Sequence, residues 1–474
     1  MKEAPNTEEA PLLKEKYPAK AHARKVAEWI KQNGGGGKGV IYLEGQKDKL
    51  IEDNDQQVPF RQRRYFFYLT GCELPDCYYA YNIEQDKSTL FIPPIDADEV
   101  IWSGLPLTTE EAMEKFDIDT CLPGTSLNQY LTNKAHSTLP IYCLSGDSQV
   151  SSHVTFLEFS TTNFSLLRSA LDFARTTKDE YEIAMLRHAN IVTNQAHAAV
   201  QRAARAAKNE RELDAVFRSH CMVCGCGEMA YHPIMASGTS ASTLHYVHNN
   251  ADLDESGNGY KGGMPLNMLV DAGCEYRCYC ADVTRTFPIN GTFTKESREI
   301  YDLVLDMQKT CMGMLKAGAV WDDIHAHSHK IAIDGLLKLG ILKGDKDEIF
   351  KSRTSTAFYP HGLGHYLGMD THDVGGFANY KDTDIMFRYL RVRGKVPAGA
   401  VITVEPGVYF CRFMIEPYLK NDTHSKFIDA DVLERYWQVG GVRIEDDVVV
   451  TENGCDNLTT AVKEPEEVEK AVKA

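Results

Sequence analysis

Four carboxylates in the second half of the sequence occupy places where a strand normally carries an apolar or neutral residue. Asp271 follows Leu-Val and precedes Ala-Gly, and Asp282 precedes Val-Thr-Arg-Thr-Phe. Glu405 ends Val-Ile-Thr-Val and precedes Pro-Gly, and Glu445 closes Gly-Gly-Val-Arg-Ile-Glu. A carboxylate buried in such a setting is costly unless it is paired or binds a cation. Any one of them alone could be a salt-bridge partner or a turn residue. Four in one half of the chain point to a shared metal site. Hard oxygen donors favour manganese or magnesium over a sulfur-rich zinc site. Four negative charges would balance two divalent cations. Two metals about 3.5–4 Å apart can hold a bridging hydroxide and polarise a carbonyl. One imidazole would complete the donor set.

The stretch His361-Gly-Leu-Gly-His365-Tyr-Leu-Gly-Met-Asp-Thr-His372-Asp-Val-Gly-Gly376 carries three of the sixteen histidines and five glycines. His361 and His365 stand four apart, the spacing of a zinc-binding helix. Glycine at 362, 364 and 368 argues instead for a loop or strand-edge path that brings the backbone close to the site. The spacing is therefore coincidental to helix geometry.

Other groupings read as structural. Cys221-Met-Val-Cys224-Gly-Cys226 lacks a second Cys or His pair at zinc-finger spacing. His325, His327 and His329 alternate along a helix, where only the first and last share a face, and are expected on an exposed surface. Cys278 and Cys280 read as strand packing. Gly34–Gly37 lacks the Lys-Ser ending of a phosphate loop and reads as a flexible connector.

The elements that must position these groups follow from pattern. Residues 1–17 are polar and read as a loose tail. Pro18 opens a helix over Ala19–Gln32 that the glycine run ends. Strands are expected at Val40–Leu43, Tyr65–Leu69, Tyr78–Ile83, Ser88–Ile92, Val100–Trp102 and Ile141–Leu144, with a hairpin turn at Glu84–Lys87. Thr109–Lys115 reads as a helix. These make an α/β domain over 18–165. A capping box at Thr177-Lys-Asp-Glu180 opens a long helical stretch to about Ala206, and Thr294 caps another helix that Gly318 ends. Leu266–Asp271, Cys278–Thr284, Val401–Glu405 and Val442–Val450 read as strands. Long helices segregated from strands predict an α+β second domain over 176–460. Residues 461–474 read as a C-terminal tail, with a fraying helix from Lys463.

The 474 residues suffice for two or three domains. A net charge of −16 argues against a nucleic-acid binder, which needs a basic footprint. The N-terminus has no apolar core of a secretory signal, and no apolar run approaches the roughly 18–20 residues of a membrane helix. Thirteen scattered cysteines fit reduced thiols and a cytoplasmic location better than a disulfide framework.

Taken together, Asp271, Asp282 eleven residues later, His365 in a Gly-rich loop, and Glu405 and Glu445 match the ligand pattern of the pita-bread metallopeptidases in identity, order and spacing. Asp282-Val-Thr-Arg-Thr-Phe-Pro288, Thr403-Val-Glu-Pro-Gly407 and Gly440-Gly-Val-Arg-Ile-Glu445 agree as well. The chain resembles the proline-specific branch, eukaryotic prolidase and aminopeptidase P, over roughly residues 19–460. Phe60-Arg-Gln-Arg-Arg-Tyr-Phe, Ser88-Thr-Leu-Phe-Ile-Pro and the insertion between Glu405 and Glu445 carry that resemblance.

The resemblance implies a pita-bread catalytic domain behind an α/β N-terminal domain, two Mn²⁺ (Co²⁺ or Zn²⁺ in vitro), a homodimer, and a peptide or dipeptide substrate with proline second. It makes His365 the only histidine ligand and puts His361, His372 and His245 toward the substrate or behind the ligands. The nitrogen of proline must be protonated to leave as an amine. Glu405 is the implied proton shuttle, and His372 is the donor for the developing oxyanion. Arg443 is expected to hold the glutamates by a charge-assisted bond, with Thr284 beside the ligands. Arg391 stands where prolidases grip a dipeptide's carboxylate, or else is a solvated strand-end arginine. The insertion and Arg391 lean toward dipeptides, but the dipeptidase and the aminopeptidase share all metal ligands, so the choice between dipeptides and longer peptides stays open. The rival reading is a catalytically dead pita-bread module that binds peptides or proteins, and the five retained ligands argue against it.

Overall fold

The computed structural model describes residues 9–146, 149–253, 260–261 and 264–474. The chain forms two compact units, Ala10–Thr176 and, together with Glu9, Thr177–Ala474.

The first unit is built on a six-stranded mixed sheet. Its strands run in the order Thr120–Pro123, Lys87–Ile92, Tyr78–Asn82, Val40–Glu44, Pro140–Tyr142, Thr161–Asn163. The three central strands pair antiparallel and the flanking ones parallel. Helices Ala19–Ile30 and Leu166–Thr176 pack on one another.

Two segments expected as strands are helices. Tyr65–Leu69 lies in helix Arg64–Thr70, whose last five residues are all buried. Burial on every side erases the alternation that separates a strand from a helix, and Gly71 ends the helix with φ +63°. Val100–Trp102 lies in helix Ala97–Ser103, capped by the Asp96 side chain. The N-terminal segment is not wholly loose. Residues 1–8 lie outside the described residues, but Leu13 and Tyr17 are buried, and Tyr17 meets Phe67 edge-on at 5.1 Å.

Among the described residues the second unit combines five small sheets with long helices, the expected α+β arrangement. Strand Asn267–Asp271 pairs antiparallel with Ile234–Ser237 on one side and Thr284–Pro288 on the other. Strand Val401–Val404 pairs with Asp446–Val450, which pairs with Cys455–Asn457. Gly407–Tyr409 pairs with Gly441–Arg443. A bridge joins Thr284 to Glu445, in the break between Gly441–Arg443 and Asp446–Val450, and another sets Tyr366 against Ile402 of strand Val401–Val404. One core lies under Val401–Val404, where Trp321, Leu363, Tyr366, Ile402, Val404 and Val448 pack.

The helices Glu180–Ala203, Glu210–Val223, Lys295–Met314 and Trp321–Lys338 cover this framework. The capping box at the first of these uses Asp179 and Glu182, two residues later than the sequence pattern implied. His325 and His329 are fully buried rather than exposed. His325 Nε2 donates to Met386 O at 2.8 Å, and His329 stacks on Tyr359 with ring centroids 4.5 Å apart. The helix expected at the end of the chain forms over Pro465–Lys473, but it is packed rather than fraying: Pro465, Val468 and Val472 are buried against helix Glu180–Ala203 and strand Thr284–Pro288. Among the described residues no helix is long and apolar enough to cross a membrane.

Candidate metal centre

The eleven-residue gap between Asp271 and Asp282 is a hairpin excursion. The chain leaves at the end of strand Asn267–Asp271 and runs out and back through Cys274–Tyr276 and Tyr279–Cys280. Arg277 and Cys278 turn it with positive φ. It re-enters beside Asp271, where Ala272 N–H donates to Val283 O at 3.1 Å. The expected continuous strand Cys278–Thr284 is thus broken at 281–283, and Asp282 sits in the break.

His365 comes from a different element. Its backbone pairs with Thr403, at 2.9 Å from Thr403 N to His365 O. A Cβ at Gly364 would lie 2.0 Å from Thr403 O, so only glycine permits this approach. The same pairing sets Glu405, whose N–H donates to Leu363 O at 2.8 Å. Glu445 sits between strands Gly441–Arg443 and Asp446–Val450 and bridges Thr284.

These elements bring the five expected donors together. Ligand atoms of Asp282, His365 and Glu445 lie within 4.8 Å of one another. His365 Nε2 is 3.4 Å from Asp282 Oδ2 and 3.5 Å from Glu405 Oε1. Tyr231 Oη lies 2.6 Å from Asp271 Oδ1 and 2.5 Å from Asp282 Oδ1, joining the fifth donor to the group.

The electrostatics are those of a cation site. Burial, then the neighbouring carboxylates, holds Asp282 and Glu445 well above the usual carboxylate range. Burial pushes Glu405 up to about 7. Glu445 Oε1 is buried without a hydrogen-bond partner among the described residues. The His365 Nδ1–H donates to Tyr366 O at 3.0 Å, which leaves the Nε2 lone pair facing the carboxylates. Crowded acids, an orphaned oxygen and an imidazole presented as an acceptor fit one or more divalent cations with oxygen and nitrogen donors.

Further side chains brace the donors. Arg443 bonds Asp271 directly, at 2.5 Å, together with Tyr409 Oη at 2.9 Å and Thr284 Oγ1 at 3.2 Å. Its charge was expected on the glutamates, but it reaches Glu445 only through the Thr284 hydroxyl, which donates to Glu445 Oε2 at 2.6 Å. Asp447 Oδ2 accepts from the Asp282 N–H at 2.9 Å and from Asn190 Nδ2 at 2.8 Å.

The centre opens into a cavity of about 1090 Å³ whose walls include His232, His245, His361, His372 and Arg391. His372 is exposed, and its ring stands edge-on to His365, with centroids 4.4 Å apart; desolvation at the cavity wall and then the neighbouring His365 lower its pKa. His361 was expected to face the substrate or stand behind the ligands. It lines the cavity, while its Nε2 meets Tyr409 Oη and its Nδ1 meets Gly362 O, each at 2.8 Å. Arg391 Nη1 donates to Tyr380 Oη at 2.9 Å, and both residues line the cavity.

Tyr231, Tyr409, Asn190 and His232 carried no signal in the sequence. Asp447 did: an Asp pair opening an otherwise apolar strand is the same anomaly that marked the ligands. Cys221, Cys224 and Cys226 are buried, and none of them belongs to a metal-holding group among the described residues.

Residues 184–452 match the family model for metallopeptidase family M24, and residues 22–142 match that for the aminopeptidase P N-terminal domain. A probable Xaa-Pro aminopeptidase of Sordaria macrospora is 58% identical over 466 residues, covering 97% of each chain. One from Botryotinia fuckeliana is 57% identical, covering 97% of this chain and 98% of its own. Among solved structures, zinc-substituted E. coli aminopeptidase P in complex with product superimposes with a TM-score of 0.79 at 30% identity, covering 97% of this chain and 99% of its own. Proline aminopeptidase P II from Yersinia pestis does so with a TM-score of 0.78 at 29% identity, covering 96% of this chain and 100% of its own.

Proposed function

Because the chain belongs to metallopeptidase family M24, in the branch that carries the aminopeptidase P N-terminal domain, we propose that it is an Xaa-Pro aminopeptidase. It would release the N-terminal residue that precedes proline. The observation that carries this reading is the convergence of Asp271, Asp282, His365, Glu405 and Glu445 at one end of a large cavity. The fungal relatives are named for the same activity.

Asp271, Asp282, His365, Glu405 and Glu445 are the proposed ligands of two Mn²⁺, a choice supported by their oxygen-rich donors. Bound divalent ions would supply Lewis acidity toward the scissile carbonyl and the attacking water. The protein's own groups do the rest. Glu405 takes the water's proton and delivers it to the proline nitrogen, which has no N–H and cannot leave unprotonated. His372, neutral at working pH, donates one hydrogen bond to the developing oxyanion. His245 and Arg391 hold the peptide along the cavity. His361 acts through Tyr409 and Arg443 on Asp271.

Peptides longer than two residues are the proposed substrates, in line with the aminopeptidase names of the fungal relatives. All thirteen cysteines carry free thiols, which supports a reducing, cytoplasmic setting. Homodimer formation is carried over from the family resemblance. The test is chelation followed by Mn²⁺ titration, with Gly-Pro-Ala, Gly-Pro and Gly-Ala-Ala as substrates. Hydrolysis of Gly-Pro-Ala should return with metal, and Gly-Ala-Ala should stay intact. Rapid cleavage of Gly-Pro alone would make the protein a dipeptidase, and turnover that survives chelation would remove the metal reading.

A further inference from the structure

The segment after His365 runs along strand Val401–Val404. Tyr366 bridges Ile402, and Leu367 N–H donates to Val401 O at 3.0 Å. The chain turns away at Gly368 and comes back at Asp373, whose N–H donates to Tyr366 O at 2.8 Å. The last residue inside this closed loop is His372. Asp370, Thr371 and His372 all line the cavity. Among the described residues no hydrogen bond holds the His372 imidazole, so the backbone of the loop sets where the ring lies.

The Asp373 carboxylate that closes the loop meets Lys178 Nζ at 2.9 Å, with both side chains 1% exposed. Lys178 is itself anchored, since its N–H donates to Gly399 O at 2.8 Å, close to the start of strand Val401–Val404. The other end of the loop packs on the same pair. A Cβ at Gly368 would lie 2.2 Å from Asp373 Oδ2 and 2.9 Å from Lys178 Cε. The ion pair therefore fills the space between the two ends of the loop, and glycine is required at 368 for it to fit.

A buried ion pair is a poor source of stability, because desolvation offsets most of the attraction, while losing one partner is expensive. Its value lies in fixing a geometry. We propose that Lys178 and Asp373 are positioning residues that lock the His372 loop beside His365, and so set the oxyanion donor. This rests on the role given to His372 above. Arginine at 178 keeps the charge and should keep the lock. Methionine at 178 or asparagine at 373 should open it.

The test uses Mn²⁺-loaded full-length Lys178→Met, Lys178→Arg, Asp373→Asn and the double variant Lys178→Met/Asp373→Asn, with His372→Ala as reference. The double variant removes both charges and serves if a single one fails to fold. Amide exchange of the peptide spanning 366–376 should rise about tenfold in the charge-removing variants as the local opening energy falls. Their kcat on Gly-Pro-Ala should drop about 10- to 100-fold, the cost of misplacing a catalytic group by about 1 Å. Calorimetric Mn²⁺ affinity should stay at the wild-type value, and Lys178→Arg should restore both exchange and kcat. Unchanged exchange, or raised exchange with unchanged kcat, overturns the lock. If His372→Ala itself keeps full kcat, the role of His372 falls instead, and exchange still decides whether the pair holds the loop.

Discussion

The Thr284 hydroxyl donates to Glu445 Oε2 at 2.6 Å and accepts from Arg443 Nε at 3.2 Å. A single oxygen thus ties a glutamate of the metal centre to the arginine that grips Asp271. Valine at 284 keeps the shape and removes both bonds. Supporting bonds of this kind are worth about 10- to 100-fold in metal affinity. Thr284→Val is therefore expected to weaken Mn²⁺ binding by that factor in calorimetry, with the fold intact. Unchanged affinity would mean that the backbone bridge between Thr284 and Glu445 suffices to set the ligand.

His365 and His372 lie ring to ring at 4.4 Å yet are expected to behave differently. His365→Ala should lose metal at one site, because its Nε2 faces Asp282 and Glu405. His372→Ala should keep its metals and lose about 100- to 1,000-fold in kcat, the typical cost of removing an oxyanion donor. Metal analysis beside kinetics separates the two. Equal loss of metal in both variants would contradict this division.

Helix Pro465–Lys473 holds its place through Val468, which is 0% exposed, and Val472. The residues leading into it bind the framework as well. Arg285 donates to Ala461 O and Val462 O and pairs with Asp446 at 2.7 Å, next to Glu445. Val468→Asp places an unpaired charge in this contact and should cost on the order of 3–5 kcal/mol, read as a fall in Tm. A Tm equal to wild type would mean that the helix is dispensable.

Burial lowers the His325 pKa to about 4, against an ordinary value near 6.5. The unfolded chain takes up that proton more readily, so the stability held above about pH 6.5 is lost as pH falls toward 4. The loss is about 1.4 kcal/mol per pH unit. His325→Leu loses the Met386 bond at every pH but should show a shallower decline in unfolding free energy across that window. Parallel profiles would show that His325 does not titrate on unfolding.

The positions of the proposed ligands were legible because their chemistry is anomalous locally. A carboxylate at the end of Leu-Val or Ile-Thr-Val declares itself without any tertiary information. What braces those ligands was less visible. Tyr231 is one tyrosine among twenty-three, and only the fold reveals that it stands between Asp271 and Asp282. The helix Arg64–Thr70 read as a strand because its buried residues are aromatic and continuous, a pattern both structures can carry. His325 and His329 read as surface because histidine is usually wet. Their burial depends on Met386, Ser355 and Tyr359, which come from other elements. Lys178 and Asp373 stand 195 residues apart and gave no sign of meeting.

The most direct test is the identity of the products of Gly-Pro-Ala hydrolysis by Mn²⁺-loaded wild-type protein and by Glu405→Gln, read by mass spectrometry. Free glycine and Pro-Ala are expected from the wild type, and intact tripeptide from the variant. Intact tripeptide from the metal-loaded wild type, or cleavage to Gly-Pro and alanine, would contradict an Xaa-Pro aminopeptidase.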